Sequence, residues 1–573
     1  MPVHNSEIAS MFDHVADLLE IEDANRFRVR AYRNAADTIR DQSRSVAQML
    51  DEDEDLSELP DIGDDLAEKI AEIVSTGHLS MLDDLAGDVP EAIVHATRIP
   101  TIGPKRARAL FKELDLGSVD DLKEAAEDGR IAEIEGFGEK TQEKIREELK
   151  KNDITENRIR LDIAEEFAEP LLDWVRQIDG VQKADIAGSY RRRKETVGDL
   201  DILVAGDKGD AIIDRFTEYD EVEEIASQGK TRATVTLRSG LQVDLRVIPD
   251  ASWGAAMHYF TGSKAHNIDG RRRAQARDLK LNEYGLFDGK ERIAGATEEE
   301  VYDGIDLPWI APVLRENRGE IEAAEKGELP DLVTLDDIKG DLHAHTKASD
   351  GKNSLREMAE AARDMGHEYL AITDHSKSQT QAGGLSEDDL EAQIEEIAAL
   401  NDEIDGIRVL ASCEVDILED GQLDFPDALL KKLDIVIASV HSKLDLSEKA
   451  QTERIMRAMD NPQVNIIGHP TGRMIGERSA FPVDMERLVE TAKDTGCMLE
   501  LNANPSRLDL RDVQCRMAAE HGVPISISTD AHSTGGLGNM RYGVYQAQRG
   551  WLSASQVINT LSWNDLSKRL RKA

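Results

Sequence analysis

The sequence predicts a multidomain protein with a helical N-terminal part, an α+β middle part and an α/β barrel at the C-terminal end. Three observations carry this. Residues 1–150 place apolar side chains three and four positions apart, the spacing of a helix face, with no alternating strand pattern. From about Asp185 to Pro249 the pattern changes to short strands (DIAG, DLDILVA, RATVTLR, LQVDLRVI), and the residues from there to about 320 read as helical. Beyond residue 339, the runs DLHAH, YLAITDH, VLASCEVDI, IVIASVH, VNIIGH, CMLELN and PISISTDAH alternate with amphipathic helices. Such alternation predicts a barrel-like parallel sheet with its chemistry at the strands' C-terminal ends. The polar, acidic residues 321–338 between the last two parts read as a linker.

The chain has 573 residues, long enough for several domains, and 40% of them are hydrophobic, enough for several cores. No apolar run reaches the roughly 18 residues of a membrane span, so no membrane partner is expected. Residues 1–20 carry Glu7, Asp13 and Asp17 rather than a basic region before an apolar one, which argues against a secretory leader. Cys413, Cys497 and Cys515 are too widely spaced for a disulfide framework or a cysteine zinc site, and a reducing cytoplasm is expected. The net charge of −44, from 70 basic and 114 acidic residues, should repel nucleic acid in ordinary cytosol. At molar salt the Debye length falls to about 3 Å and that repulsion disappears. Because the acids are spread through every segment, the sequence predicts a halophilic host, and charge does not exclude a DNA partner.

Three N-terminal segments share one shape: Leu59-Pro60-Asp61-Ile62-Gly63, Ile99-Pro100-Thr101-Ile102-Gly103 and Ile134-Glu135-Gly136-Phe137-Gly138, each followed by a helix bearing Lys or Ala. This is the helix-hairpin-helix pattern, in which a Gly-bearing turn lets backbone N–H groups at a helix start meet a phosphate. Gly63, Gly103, Lys105, Gly136, Gly138 and Lys140 are the candidate DNA contacts. Only the third copy has both glycines, since Asp61 and Thr101 occupy the earlier position in the others.

In the middle part, Gly188-Ser189-Tyr190-Arg191-Arg192 precedes Gly198-Asp199-Leu200-Asp201 at the start of an apolar strand. Residues two apart on a strand share a face, so Asp199 and Asp201 can hold one pair of metal ions, with Asp244 from a neighbouring strand completing the set. Three carboxylates around two Mg²⁺ or Mn²⁺ suit in-line attack on a phosphate. The Gly188-Ser189 turn and Arg192 would hold a triphosphate. With acids at 114 of 573 positions, Asp-x-Asp alone says little, and it is the composite that is specific.

Residues 339–573 hold eight of the fourteen histidines, six of them at presumed strand ends: His343, His345, His375, His441, His469 and His532. Asp350, Glu414 and Asp530 add carboxylates. His-x-His places two imidazoles on one strand face, suited to a metal. His367 and His521 read as ordinary core or surface residues.

GSYRRRKETVGDLDILV resembles the nucleotidyltransferase signature of family X DNA polymerases, the group that contains DNA polymerase beta. Tyr259-Phe260-Thr261-Gly262-Ser263 with Asn267 and Arg271 resembles the same family's nucleotide and minor-groove segment. DLHAHTKASDG resembles the opening of the PHP (polymerase and histidinol phosphatase) domain. Family X followed by PHP is the arrangement of bacterial and archaeal PolX repair polymerases, and the likeness covers essentially the whole chain. It implies a lyase-like helical domain with the first hairpin (1–85), a fingers-like helix-hairpin-helix domain (86–155), a nucleotidyltransferase palm (156–250), a thumb-like nucleotide-selection domain (251–320), the linker, and a PHP metal-dependent phosphoesterase (339–573).

The resemblance makes Asp199, Asp201 and Asp244 catalytic metal ligands and sets Gly188, Ser189 and Arg192 at the triphosphate. Tyr259, Phe260 and Gly262 would lie at the incoming sugar, and Asn267 and Arg271 at the minor groove. Lys69 matches the Schiff-base lysine of the lyase domain, although Asp64 and Asp65 nearby would keep it protonated, and a plain phosphate-binding or surface lysine is the alternative. The PHP ligands would be His343, His345, Asp350, His375, Glu414, His441, His469, Asp530 and His532, holding up to three Mn²⁺ or Zn²⁺ ions. Lys347 and Arg473 are candidates for holding phosphate, and Asp374 for orienting a ligand. Arg193 stands where the family often has Gly, and Gln242 where polymerase beta has Arg.

The implied function is filling of short gaps by a monomer acting on gapped or nicked DNA with deoxynucleoside triphosphates, joined to 3′→5′ exonuclease and other 3′-end processing. AP endonuclease and 3′-phosphatase activities are open additions. A mainly 3′-end phosphoesterase using its polymerase half to bind DNA is the alternative, and the intact aspartate triad argues against it. A non-enzymatic DNA scaffold would have no need of two metal constellations, and a free histidinol-phosphate phosphatase would leave the hairpins unexplained.

Overall fold

The computed structural model describes residues 3–570 except 22–23, 41, 43–44, 87–101, 103, 115, 117–118, 135–136, 140, 144 and 147–157. It divides into two compact units, Met1–Arg158 with Gly476–Arg478, and Ile159–Ile475 with Ser479–Ala573. No helix among the described residues is long and apolar enough to cross a membrane.

The first unit is helical in its described elements. Helices Asn5–Ile21, Arg26–Arg40 and Asp64–Thr76 bury Ile8, Phe12, Val15, Tyr32, Ile70 and Ile73 in one core. Phe12 and Tyr32 meet edge to face with centroids 5.5 Å apart. A second core gathers Ile102, Leu110, Phe111, Leu122, Ile131 and Phe137. In the first hairpin, Asp61 has a φ of +59°, the left-handed region that Gly enters without strain. That is why the motif usually has Gly there. Asp and Asn are the side chains that tolerate it best. Gly63 then caps the helix Asp64–Thr76, and a Cβ there would meet nothing within 4 Å, so the turn is open to a ligand's approach.

The second unit begins with a five-stranded mixed sheet: β1 (Val181–Ile186), β2 (Asp199–Gly206), β3 (Val222–Gln228), β4 (Arg232–Leu237) and β5 (Gln242–Ile248), in the spatial order β1-β2-β5-β4-β3. Only β2 and β5 pair in parallel. Helices Leu161–Arg176 and Gly209–Phe216 cover one face, where Leu200, Ile202 and Val204 are buried. Alternation puts Asp199 and Asp201 on the other face.

The segment from 251 to 320 is not helical throughout, as the sequence pattern suggested. After helices Trp253–Thr261 and Lys264–Gln275 come three short antiparallel strands, β6 (Leu279–Asn282), β7 (Gly285–Asp288) and β8 (Glu291–Ala294). The deciding signal is the Asp288-Gly289 turn, with Gly289 at φ +57°, a hairpin connection between strands too short to show a clear period. The residues read as a linker carry a short helix, Glu320–Lys326. Glu320 is fully buried and accepts from His266 Nδ1 at 2.7 Å, so the first residues of this stretch are tied to the domain before it.

The C-terminal part is a parallel sheet of seven strands in sequence order: β9 (Gly340–Ala344), β10 (Tyr369–Ile372), β11 (Arg408–Asp416), β12 (Ile435–Ser439), β13 (Ile466–Ile467), β14 (Met498–Asn502) and β15 (Ile525–Ser528). A bridge between Ala344 and Ala531 brings the last strand back to the first, so the barrel is nearly closed. These strands are buried along almost their whole length, as parallel strands covered on both faces must be. Leu508 and Tyr542 from this part pack into the core of the five-stranded domain. The two domains therefore share apolar contact as well as ion pairs.

Candidate active sites

The first centre is set by strand register. Asp201 lies opposite Asp244 and Asp199 opposite Gln242 on the parallel pair β2 and β5. Ligand atoms of Asp199, Asp201 and Asp244 all lie within 4.8 Å of one another. Burial, reinforced by the Asp199 and Asp244 carboxylates, pushes Asp201 up to about 7. Three carboxylates so close are relieved by a divalent cation, which is the fit expected of a metal site. Thr234 Oγ1 donates to Asp244 Oδ1 at 2.5 Å and Gln242 Nε2 to Oδ2 at 3.0 Å, so Gln242 steadies the third carboxylate.

Gly188 has a φ of +63°, and a Cβ there would collide with the Asp201 carboxylate. Close approach of the turn to the Asp201 carboxylate thus requires Gly. Beside it, Ser189 Oγ is buried without a hydrogen-bond partner, the condition of a group waiting for a ligand. Arg192 is already engaged: Nε donates to Glu316 Oε1 at 3.0 Å, and Nη1 donates to the Thr261 carbonyl. Tyr259 and Phe260 stand edge to face with centroids 5.0 Å apart, and Arg246 lies 4.8 Å from the Phe260 ring centroid. Gly262 has a φ of +68° and faces Arg192. Asn267 is buried, its amide donating to the Tyr259 carbonyl at 2.6 Å, and Arg271 is half-exposed one turn further along the helix.

Arg193 is engaged within the protein. Its φ of +52° explains why Gly is usual at this position, and its guanidinium stacks on Tyr545 at 4.6 Å and pairs with Glu165 at 3.1 Å. In the first unit, Lys69 Nζ lies 2.5 Å from Asp65 Oδ1, an ion pair that must open before the amine can attack a sugar aldehyde. Gly138 is exposed and Lys105 lies in the helix Pro104–Leu114, whereas the contacts expected at Gly103, Gly136 and Lys140 fall outside the described residues.

The second centre sits at the C-terminal ends of the barrel strands. His343 is on β9 with His345 just past it, His375 follows β10, Glu414 is on β11, His441 follows β12, His469 follows β13, and Asp530 and His532 follow β15. Asp350 comes in from the loop after β9. Three groups have metal-ligand spacing: His345, Asp350, His375 and His532; His343, His345 and Asp530; His375, Glu414 and His441. His469 joins through Glu414, with Nε2 2.8 Å from Oε1. Glu414 also lies 3.5 Å from His343 Nε2, so one buried carboxylate touches several groups.

The donor set fits cations. His343 Nε2, both nitrogens of His345, His375 Nδ1 and Glu414 Oε2 are buried without aligned hydrogen bonds. They nevertheless converge: His345 Nε2 is 3.2 Å from Asp530 Oδ1, and His375 Nδ1 is 2.9 Å from Glu414 Oε2. Close but unaligned N and O donors are what ligands around shared ions look like, and the mixed set suits Mn²⁺ or Zn²⁺.

Five family models match the chain: the Helix-hairpin-helix domain (residues 3–79), the SAM-like Helix-hairpin-helix tandem (94–151), the DNA polymerase beta palm (158–248), the DNA polymerase beta thumb (256–316) and the PHP domain (341–504). The DNA polymerase/3′-5′ exonuclease PolX of Bacillus subtilis (strain 168) is 37% identical over 574 residues, the full length of both chains. The chain belongs to the PolX family. Its barrel is also similar to separate proteins. A probable phosphatase of Thermoanaerobacter sp. (strain X514) is 32% identical over 232 residues, 38% of this chain and 89% of the relative. A probable phosphatase of Syntrophotalea carbinolica is 28% identical over 230 residues, 38% of this chain and 90% of the relative.

Beside this histidine and carboxylate cluster lie Glu500 and Asp416, which the sequence analysis does not name. Glu500 accepts from His343 Nδ1 at 2.7 Å and from the His469 backbone N–H at 2.7 Å. Asp416 accepts from His441 Nδ1 at 2.6 Å. These carboxylates fix ring tautomers so that Nε2 of His343 and His441 faces the cluster, where it could meet a bound cation. Both sit inside strands, Asp416 two residues after Glu414, and that i, i+2 spacing is the one signal for it. Asp374 accepts from the Thr346 backbone (2.8 Å) and hydroxyl (2.7 Å) and from Gln393 Nε2 (2.6 Å), so it shapes the loop beside His345.

Arg473, expected at a phosphate, is instead buried against Glu195, with contacts of 3.1 and 2.7 Å. Burial would raise the Glu195 carboxyl, but Arg473 outweighs it and holds it below the usual range. Lys347 stays exposed, and Arg507 borders the cluster, with Nε 3.4 Å from Asp530 Oδ2.

Proposed function

We propose that the chain is a repair DNA polymerase that fills short gaps by template-directed nucleotidyl transfer, with a PHP centre that trims or cleans the 3′ end. The observation that carries this is the presence of two separate clusters of candidate ligands, Asp199/Asp201/Asp244 and the PHP set, in which eight residues have metal-ligand spacing and His469 joins through Glu414, each with the crowding expected of cation sites. The substrates are gapped or nicked DNA with a 3′ end and deoxynucleoside triphosphates, and the protein acts as a cytoplasmic monomer. Removal of a 3′ phosphate is a natural extension of the second centre's chemistry, and the phosphatase likeness of the barrel supports it.

In the polymerase centre, Asp199, Asp201 and Asp244 would hold two Mg²⁺ or Mn²⁺ ions. Bound there, such ions supply activation of the primer hydroxyl and charge stabilisation at the phosphates. The chain's own groups position the reactants. The Gly188 turn brings the backbone against the carboxylates, Ser189 Oγ and Arg192 receive phosphate oxygens, and Tyr259 with Phe260 forms an apolar platform for the sugar. Asn267 fixes the carbonyl of Tyr259, and Arg271 reaches toward the minor groove.

In the PHP centre, the nine ligands would hold up to three Mn²⁺ or Zn²⁺ ions, which supply a nucleophile at neutral pH and a Lewis acid for the scissile phosphate. Glu500 and Asp416 hold the His343 and His441 protons on Nδ1, and Arg507 provides a cation for the phosphate at the edge of the shell. Hairpin backbone N–H groups, Gly63 among them, bind the DNA backbone without needing net positive charge.

The test is a one-nucleotide-gapped duplex with Mg²⁺ or Mn²⁺, with and without deoxynucleotides. Extension by one nucleotide, and 3′ shortening when nucleotides are withheld, are expected. Shortening with no extension under any metal would leave the phosphoesterase alternative in its place.

A further inference from the structure

Arg192 is held by groups from both sides of a domain boundary. Its Nε donates to Glu316 Oε1 at 3.0 Å. The same oxygen accepts from Arg549 Nη1 at 3.0 Å, and that nitrogen also donates to the Arg192 backbone carbonyl at 2.8 Å. Arg549 ends the helix Met540–Arg549 of the PHP part and is only 4% exposed. Its Nη2 donates to Asp512 Oδ2 at 2.8 Å, which in turn accepts from Arg318 Nη1 at 2.8 Å. The result is a partly buried ladder of alternating charge, Arg192–Glu316–Arg549–Asp512–Arg318, with Arg549 at its buried centre and linking the Gly188 turn to the PHP part.

From this ladder we infer that Arg549, a PHP-domain residue, is a positioning residue for nucleotide binding in the polymerase centre, acting through Glu316 on Arg192. The inference rests on the reading above that Arg192 receives the triphosphate. For Arg192 to turn its whole guanidinium, Nε included, to phosphate oxygens it must release Glu316. A carboxylate as buried as Glu316 is costly to leave without a cation. Arg549 is the cation that stays with it, so the exchange leaves no unpaired charge behind. Burial would raise the Glu316 carboxyl, yet Arg549 and Arg192 together outweigh it and hold the group ionised, as a standing competitor for Arg192 requires. Arg549 also fixes the backbone on which Arg192 is mounted through its bond to the carbonyl. Nucleotide affinity is therefore set partly by the domain that degrades DNA.

The two partners of Arg192 should act with opposite sign. Removing the charge of Arg549 leaves Glu316 to Arg192 alone and tightens that grip. Removing the charge of Glu316 frees Arg192. The experiment is gap filling by the full-length protein on a one-nucleotide-gapped duplex, measuring KM for the single deoxynucleotide and kcat separately. Arg549→Gln is expected to raise KM about fivefold or more with kcat little changed, Arg549→Lys to give an intermediate value, and Glu316→Gln to lower KM below wild type. A purely structural role would move the Arg549 and Glu316 variants in the same direction, and that result, or an unmoved KM in both, overturns the inference. Should Arg549→Gln fail to fold, the sign of the Glu316→Gln effect and the Arg549→Lys value still decide it. Arg192→Ala separates the two levels. If it raises KM while the ladder variants do nothing, this inference fails and the triphosphate reading stands. If it leaves KM unchanged, the triphosphate reading fails and takes the inference with it.

Discussion

Glu298 shows how single residues organise the polymerase half. It receives both Arg191 nitrogens, at 3.0 and 2.8 Å, and Arg315 Nη1 at 2.6 Å, with Arg315 fully buried. Burial alone would raise the Glu298 carboxyl, but Arg315 and Arg191 hold it well below the usual carboxylate range. A carboxyl whose folded pKa is depressed contributes stability that is complete above its unfolded value of about 4.3 and is lost as pH falls toward the folded one. Thermal unfolding followed against pH should therefore show wild type losing stability below about pH 5, with a shallower loss in Glu298→Gln. At pH 7 that variant should be less stable by about 3 kcal/mol, since it leaves Arg315 buried and unpaired. Gly188→Ala should cost about 100-fold in extension, because the added methyl displaces Asp201, while 3′ trimming continues. Glu500→Gln should weaken Mn²⁺ activation of trimming about 10- to 100-fold, measured as a metal titration. Most of the proposed ligands were legible in the sequence because they stand on or just past an apolar run that forms a strand, whereas Asp350 comes from a loop. Glu500 and Asp416 were not. In a chain with 114 acids, the i, i+2 spacing of Asp416 from Glu414 is a weak signal and Glu500 has none until its imidazole partner is placed in space.

At the scale of elements, the sequence showed the buried parallel strands and missed β3, whose residues are mostly exposed, and the short strands β6–β8. The seven runs of the C-terminal part became β9–β15 because buried parallel strands read as continuous apolar stretches. The three strands β6–β8 were missed because four residues do not reveal a period. Arg473 was misread for a different reason. It was a candidate for holding phosphate, and its partner in the structure, Glu195, is 278 residues away in the chain. The His469 loop is thus tied to the loop after Ser189, and Arg473→Ala should slow trimming through the His469 loop. The reciprocal exchange, Glu195→Arg with Arg473→Glu, should restore part of the lost rate. No recovery in the double variant would show that the ion pair is not the element that positions the loop.

The whole molecule carries a net charge of −44 yet acts on a polyanion. Counterion release contributes little at molar salt, so affinity there must rest on hairpin backbone N–H groups, Arg hydrogen bonds and bridging cations. Extension and trimming should both persist in molar KCl, and a steep fall between low and molar salt would remove the halophilic reading. The central claim is that one chain holds two independent phosphate chemistries, and the most direct measurement is a paired comparison on one gapped duplex. Asp199→Ala should lose extension and keep trimming, and His343→Ala should lose trimming and keep extension. Loss of both activities in either variant would contradict two independent centres.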